Sequence, residues 1–161
     1  MSLLLKNLLF TLLIPGTVGV YLPLIIARGR GLAAFPPLVT LGVVLYALGA
    51  CAYAWTVWDF ATSGKGTPFP LSGPRKLVVR GLYQYTRNPM YLGVILVIFG
   101  WAALFASGWL VVYALGVWLF NHLFVVFYEE PRLKQLFGEE YEAYRAEVSR
   151  WLPHLPRKPF A

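Results

Sequence analysis

The sequence predicts an all-α membrane protein: one polytopic bundle of about four transmembrane helices, with an amphipathic interfacial helix near its C-terminal end. Three observations predict it. Hydrophobic residues make up 58% of the 161 and charged residues only 13%, about half the charged share of an ordinary soluble domain. Uncharged runs long enough to cross a bilayer alternate with short charged segments. The last charged segment carries aromatic residues at helical spacing. A net charge of +7 alone would fit nucleic acid. In so apolar a chain it points to an anionic lipid surface instead, and no nucleic-acid partner is expected. The one cysteine, Cys51, can form no internal disulfide and belongs to no metal cluster. It reads as a small buried residue.

The chain reads as a single membrane domain, residues 1–161. Met1 to Lys6 is a weakly basic start. The first span, 7–27, has 21 uncharged residues, enough for one crossing at about 1.5 Å per residue. Pro15, Gly16 and Pro23 are expected to kink it, with neighbouring helices covering the freed backbone. No small-residue cleavage site follows, so the segment reads as a span and not as a signal peptide. Arg28-Gly29-Arg30 is a basic turn. The second span, 35–58, starts near Pro36-Pro37 and ends among Tyr53, Trp55 and Trp58, an aromatic belt at the membrane–water interface. Residues 59–87 form a loop, rich in turn residues as far as Lys76 and without helical period. Residues 88–128 carry no charge for 41 positions, too long for one span and right for two, 89–106 and 109–128, turning at Ser107-Gly108. Asn88 is a good N-cap and Pro89 suits the first helical position. In the tail, 129–161, Tyr141, Tyr144, Val148 and Trp151 share one face of a helix within 132–150, which lies on the membrane or caps the bundle. Gly138 separates it from a short turn at 133–137.

Four spans place both termini and the 59–87 loop on one side, with every Lys and Arg except Arg28 and Arg30 and with all seven carboxylates. By the positive-inside rule the termini face the cytoplasm of a bacterial or archaeal inner membrane.

Arg87 is the last charge before Glu129. With Asn88, Pro89, Met90 and Tyr91 it marks where a helix N-terminus meets water. Free N–H groups and a partial positive charge there suit an anionic group. Glu129-Glu130-Pro131 closes the same uncharged run. Read as a helix C-terminus, that end disfavours negative charge. The two carboxylates are therefore either simply solvated or matched by cations, namely Arg80, Arg87 or a bound ammonium or sulfonium. Asn121 and His122 lie inside the fourth span, His122 on the face of Glu129. They either bond between helices or line a pocket. With two histidines in all, no metal is expected. No serine elbow, phosphate-binding glycine loop or thiol–histidine pair is present. The residues alone give a cytoplasm-facing polar pocket, cations on one side and carboxylates on the other.

Arg87-Asn-Pro-Met-Tyr-Leu-Gly93, the apolar hairpin, Glu129-Glu-Pro-Arg-Leu133 and Phe137-Gly-Glu-Glu-Tyr-Glu-Ala-Tyr144 with Val148 together resemble the isoprenylcysteine carboxyl methyltransferase family. The phospholipid N-methyltransferases share the pattern, and the similarity covers roughly residues 72–153. It implies a multi-pass membrane methyltransferase that uses S-adenosylmethionine and takes a lipidic acceptor from the bilayer, an isoprenylcysteine-type carboxylate or a phospholipid-type amine. It implies cofactor contacts at Gly81, Tyr83, Arg87, Asn88, Pro89, Tyr91, Gly93, His122, Glu129 and Glu130, with Arg87, Tyr91 and Glu130 also carrying the chemistry. The acceptor side would take Tyr141, Tyr144, Arg145, Arg150 and Trp151. The methionine moiety brings an ammonium for a glutamate and a carboxylate for an arginine or helix N-terminus. The alternatives are a sterol-reductase-like NADPH-dependent oxidoreductase, whose phosphates fit poorly beside Glu129-Glu130, and a non-enzymatic membrane scaffold.

Overall fold

The computed structural model describes residues 9–60, 62 and 76–153, and every regular element in them is helical. Helix α1 is Leu9–Ile26, α2 is Pro36–Asp59, α3 is Pro89–Leu104, α4 is Gly108–Phe124 and α5 is Glu130–Glu147. Three helical stretches are long and apolar enough to cross a membrane: α1, α2 and the continuous run Gly108–Glu147. Helix α3 is as apolar but has 16 residues. Leu13, Leu48, Trp58 and Phe120 are among the large apolar side chains left exposed, as a lipid-facing surface requires. Lys6, the loop from Ser63 to Arg75 and the tail from His154 lie outside the described residues, so part of the charge count behind the orientation does too.

Helices α2 and α3 pack backbone to backbone. A Cβ on Gly49 would lie 2.5 Å from the Gly93 carbonyl oxygen, and one on Gly100 would lie 2.8 Å from the Tyr46 nitrogen. Gly42 faces Gly100 and Leu104 in the same way. The pairs Gly42/Gly49 and Gly93/Gly100 each stand two turns apart and form one seam of small residues. Where lipid offers no hydrophobic drive between helices, such close approach is what holds them.

Helix α1 absorbs its prolines through a π-helical stretch, Thr17–Tyr21, followed by a short α segment with Pro23 in its first turn. The wider π turn accommodates the missing proline N–H. The Trp101 indole donates to the Gly19 carbonyl (3.1 Å) and the Tyr113 hydroxyl to the Val18 carbonyl (2.9 Å). At this end Ala27, Ala102 and Leu110 form a small core with Trp101, Phe105 and Tyr113. The hairpin turns at Phe105 to Ser107, with Ala106 at φ 45° and Ser107 at the N-cap position of α4, where its side chain makes no cap bond.

Four expectations need correction. Cys51 is exposed, not buried. It sits on the outer face of α2, away from the glycine seam. Asp59 does not open the loop; it ends α2, buried. Between Asp59 and Arg87 a 3-10 turn, Gly81–Gln84, interrupts the irregular backbone. The chain does not end a helix at Glu129-Glu130. A π turn, Val125–Glu129, carries α4 straight into α5, with Pro131 in the first turn of α5. The macrodipole argument for those carboxylates therefore lapses, because their backbone lies inside a continuous helix. Helix α5 bends at Gly138 (φ 51°), a conformation glycine adopts without strain. Beyond the bend Tyr141, Tyr144 and Val148 are buried against Leu77, Val79, Leu133 and Phe137. The aromatic face caps the bundle.

Candidate functional site at the hairpin ends

The segment after α5 folds back across the start of α3. The Arg87 N–H donates to the Ser149 carbonyl (2.9 Å), and the Thr86 hydroxyl donates to the Arg150 carbonyl (3.1 Å). Asn88 occupies the N-cap position of α3 but makes no side-chain cap. Its amide instead donates to the Arg150 carbonyl (3.1 Å). Asn88 thus ties the tail down, while Pro89 takes the first helical position as its fixed φ predicts.

This strap brings Arg150 onto Glu130. Arg150 Nε lies 2.6 Å from Oε1 and Nη2 lies 2.9 Å from Oε2, a two-pronged contact. Arg87 Nη1 reaches the same carboxylate at 3.0 Å and also donates to the Tyr141 hydroxyl at 3.2 Å. The Arg87 and Glu130 side chains are each 10% exposed. The two ends of the hairpin therefore meet, at a buried carboxylate shared by two guanidinium groups. The group carries a surplus positive charge, and Arg87 Nε is buried without a partner among the described residues. Burial pushes the Tyr141 hydroxyl pKa up, and the neighbouring Glu130 carboxylate adds to the shift, with Arg87 and Arg145 opposing it. Tyr141 therefore stays a neutral donor or acceptor. The hydrogen bonds to Glu130 hold Arg150 firmly protonated.

Beside this cationic cluster stands a second carboxylate. Glu129 accepts a hydrogen bond from the Tyr91 hydroxyl at 2.6 Å, and no cation pairs with it among the described residues. The π turn sets Glu129 and Glu130 on different neighbours, one on a phenol and one on arginines.

Below the corner lies an apolar cavity of about 350 Å³, lined by residues of α1 to α4 and open on one side, with Tyr91 in its wall. Tyr91 thus touches both the carboxylate and the apolar space. Around it, His122 Nδ1 accepts from the Trp151 indole at 2.9 Å, and the imidazole stacks on Trp118 at 5.4 Å between centroids. A neutral His122 therefore carries its proton on Nε2.

The structure gathers Arg87, Asn88, Pro89, Tyr91, Glu129, Glu130, Tyr141 and Arg150 into one corner and couples His122 to Trp151. Tyr83 is buried one step away, its carbonyl accepting from Tyr144 at 2.7 Å. Gly81 has φ 59°, and a Cβ there would collide with Asp59 Oδ2. Gly93 lies in the α2–α3 seam, filled by Gly49 and Tyr53 backbone. Arg145 pairs with Glu142 at 3.3 Å near the surface. Asp59 escaped sequence reasoning: it is buried, paired with Arg80 at 3.1 Å, and its Oδ2 has no hydrogen-bond partner among the described residues. The available signal was that it is the only acidic residue before Glu129. Among the described residues no three His, Cys, Asp or Glu side chains gather as a metal site.

A family model described as phospholipid methyltransferase matches residues 38–140, well over half of the chain and all of the α3–α4 hairpin. No curated protein and no solved structure gives a significant match.

Proposed function

Since the chain belongs to the phospholipid methyltransferase family, we propose that it moves a methyl group from S-adenosylmethionine to an oxygen or nitrogen of a lipidic acceptor at the cytoplasmic face of the membrane. The observation that carries this reading is the charge layout of the corner. Arg87 and Arg150 share one carboxylate and retain a net positive charge. Glu129, next along the chain, is a carboxylate held by Tyr91 with no cation paired to it among the described residues. An amino-acid moiety, with its carboxylate and ammonium, complements that layout end to end. The residues present fit the cofactor on this count, and the unused Arg87 Nε is a ready donor for its carboxylate.

S-adenosylmethionine, when bound, would supply a methyl group already activated on a sulfonium, with a neutral thioether as its leaving group. The chain's own share is to align and to exclude water, and orientation alone contributes about 7–11 kcal/mol in favourable cases. Arg87 and Arg150 would hold the carboxylate end. Glu129 would hold the ammonium, with Tyr91 fixing its rotamer. Tyr141 orients Arg87 from the opposite side. A carboxylate acceptor needs no base. An ammonium acceptor must first lose a proton.

Incubating membranes that carry the protein with methyl-labelled S-adenosylmethionine and mixed lipids, then analysing products by mass spectrometry, tests the reading. Label in a lipid fraction, lost in Arg87→Ala, is the expected result. Absence of S-adenosylmethionine binding together with tight NADPH binding would overturn it in favour of a reductase.

A further inference from the structure

The strap that follows α5 is held over the charged corner by polar bonds, and one of them depends on a proton. We infer that the strap, residues 149–151, is a latch pinned by neutral His122. It lies closed while the Trp151 indole donates to the imidazole, and it lifts when that imidazole takes a proton. That the uncovered corner admits S-adenosylmethionine rests on the methyltransferase reading above; the latch itself does not.

The pin works in one direction only. An indole N–H donates and cannot accept, and an imidazole nitrogen accepts only while it carries no proton. Trp151 Nε1 lies 2.9 Å from His122 Nδ1, so the bond requires a neutral His122. Once both imidazole nitrogens are protonated, two N–H donors face each other and the bond is gone. The His122 ring stacks on Trp118, whose own ring stands 6.2 Å from that of Trp151. The pin thus seats the indole in an aromatic niche at the end of the strap. Histidine ordinarily changes its charge between about pH 5 and pH 8. The closed strap binds one proton fewer than the open one, so closure is favoured as pH rises and lost as pH falls.

The rest of the strap is held in a way that makes the pin count. Val148 is buried where α5 ends, but beyond it the hold is mainly polar. Ser149 and Arg150 give their carbonyls to the Arg87 N–H and to the Thr86 and Asn88 side chains. Leu152, next after Trp151, is 80% exposed and adds no apolar anchor. Bonds of this kind exchange with water at little net cost each. Lifting the strap takes Arg150 off Glu130 and uncovers Arg87, whose Nε is buried without a partner among the described residues. The other charged and titratable groups on the elements packed around His122 are Arg150 on the strap, Glu130 at the head of α5, Glu129 in the π turn after α4, and Arg87 and Tyr91 at the start of α3. Acid would act on the two carboxylates as well, so the test separates them from the imidazole.

Hydrogen exchange of the full-length protein in lipid nanodiscs, without cofactor and read at single amides, provides that test. The Arg87 N–H is bonded to the Ser149 carbonyl and reports lifting of the strap. The Ser107 N–H, bonded to the Ala102 carbonyl at 2.9 Å in the far turn of the hairpin, reports the rest of the bundle. Each rate is divided by the intrinsic rate at the same pH. From about pH 8 to about pH 5.5, protection at Arg87 should fall about tenfold, the factor that loss of one ordinary hydrogen bond gives, while protection at Ser107 holds. His122→Asn keeps an acceptor oxygen close to the place of Nδ1 and takes up no proton, so its Arg87 protection should not change with pH. Trp151→Phe deletes the donor and should show low protection across the whole range. Wild-type protection that is flat with pH overturns the inference. So does a fall of the wild-type size in either variant, which would assign the effect to the carboxylates. No cofactor is present, so failure here is distinct from failure of the methyl-transfer reading, which label incorporation tests.

Discussion

Replacing Gly49 by alanine should loosen the whole site from a distance. The new methyl would lie 2.5 Å from the Gly93 carbonyl oxygen and 2.8 Å from the Val97 nitrogen. It falls about 0.9 Å short of the 3.4 Å at which ordinary contact begins. Both obstacles are backbone atoms of α3, so no side chain can swing aside and the helices must separate by about that amount. A gap of 0.5–1 Å forfeits roughly a quarter to a half of each dispersion contact along the seam. Overpacking of this kind costs about 1–3 kcal/mol. The better helix propensity of alanine returns up to about 1 kcal/mol, leaving a net loss of up to about 2 kcal/mol. Gly116→Ala provides the control, since its methyl meets nothing and only the propensity gain of up to about 1 kcal/mol applies. Unfolding in mixed micelles, followed by circular dichroism, measures both. Because α3 carries Arg87 and Tyr91 at its start, Gly49→Ala should also weaken cofactor binding. Equal stability of the two variants would refute the claim that α2 and α3 are held by backbone approach.

Glu130→Gln leaves the Arg87 and Arg150 guanidinium groups facing each other without their shared carboxylate. Removing one partner of a buried pair costs about 3–5 kcal/mol, here reduced because Arg150 is 31% exposed. Cofactor affinity by calorimetry should fall, and unchanged affinity would remove Glu130 from the site. Trp151→Phe keeps a ring beside Trp118 but deletes the donor to His122 Nδ1, a loss of about 1 kcal/mol measurable as a lower unfolding midpoint. Gly81→Ala forces a Cβ against Asp59 at positive φ and should destabilise. Adding Asp59→Ala should recover part of that loss, a coupling that a double-mutant cycle reads directly.

Much of the corner was legible because its residues are adjacent in sequence. Pro89 marks a helix start by its fixed φ, and an uncharged run of 41 residues fixes a hairpin whose ends must return to one side. What proximity in sequence cannot reveal is which partner each side chain takes. Asn88 has the chemistry of a cap and uses it on the Arg150 carbonyl. Glu129-Glu130 has the look of a helix end and is a π turn inside a longer helix. Gly93 sits in the motif yet serves the seam with Gly49, because a glycine reads the same whether a ligand or a backbone approaches it. Asp59 was hidden for the same reason: its partners, Arg80 and Gly81, are brought to it only by folding.

Hydrophobic run lengths, charge placement and proline positions by themselves determined that this chain is a helical membrane bundle with a charged corner at the ends of one hairpin, since transfer into lipid and backbone φ are local properties. Only the tertiary structure decided that Glu130 is shared by two arginines while Glu129 is left to Tyr91. It alone decided that a neutral cavity lies beneath them. Pairing and void volume depend on where separate helices cross, and that is set by contacts between residues far apart in the chain.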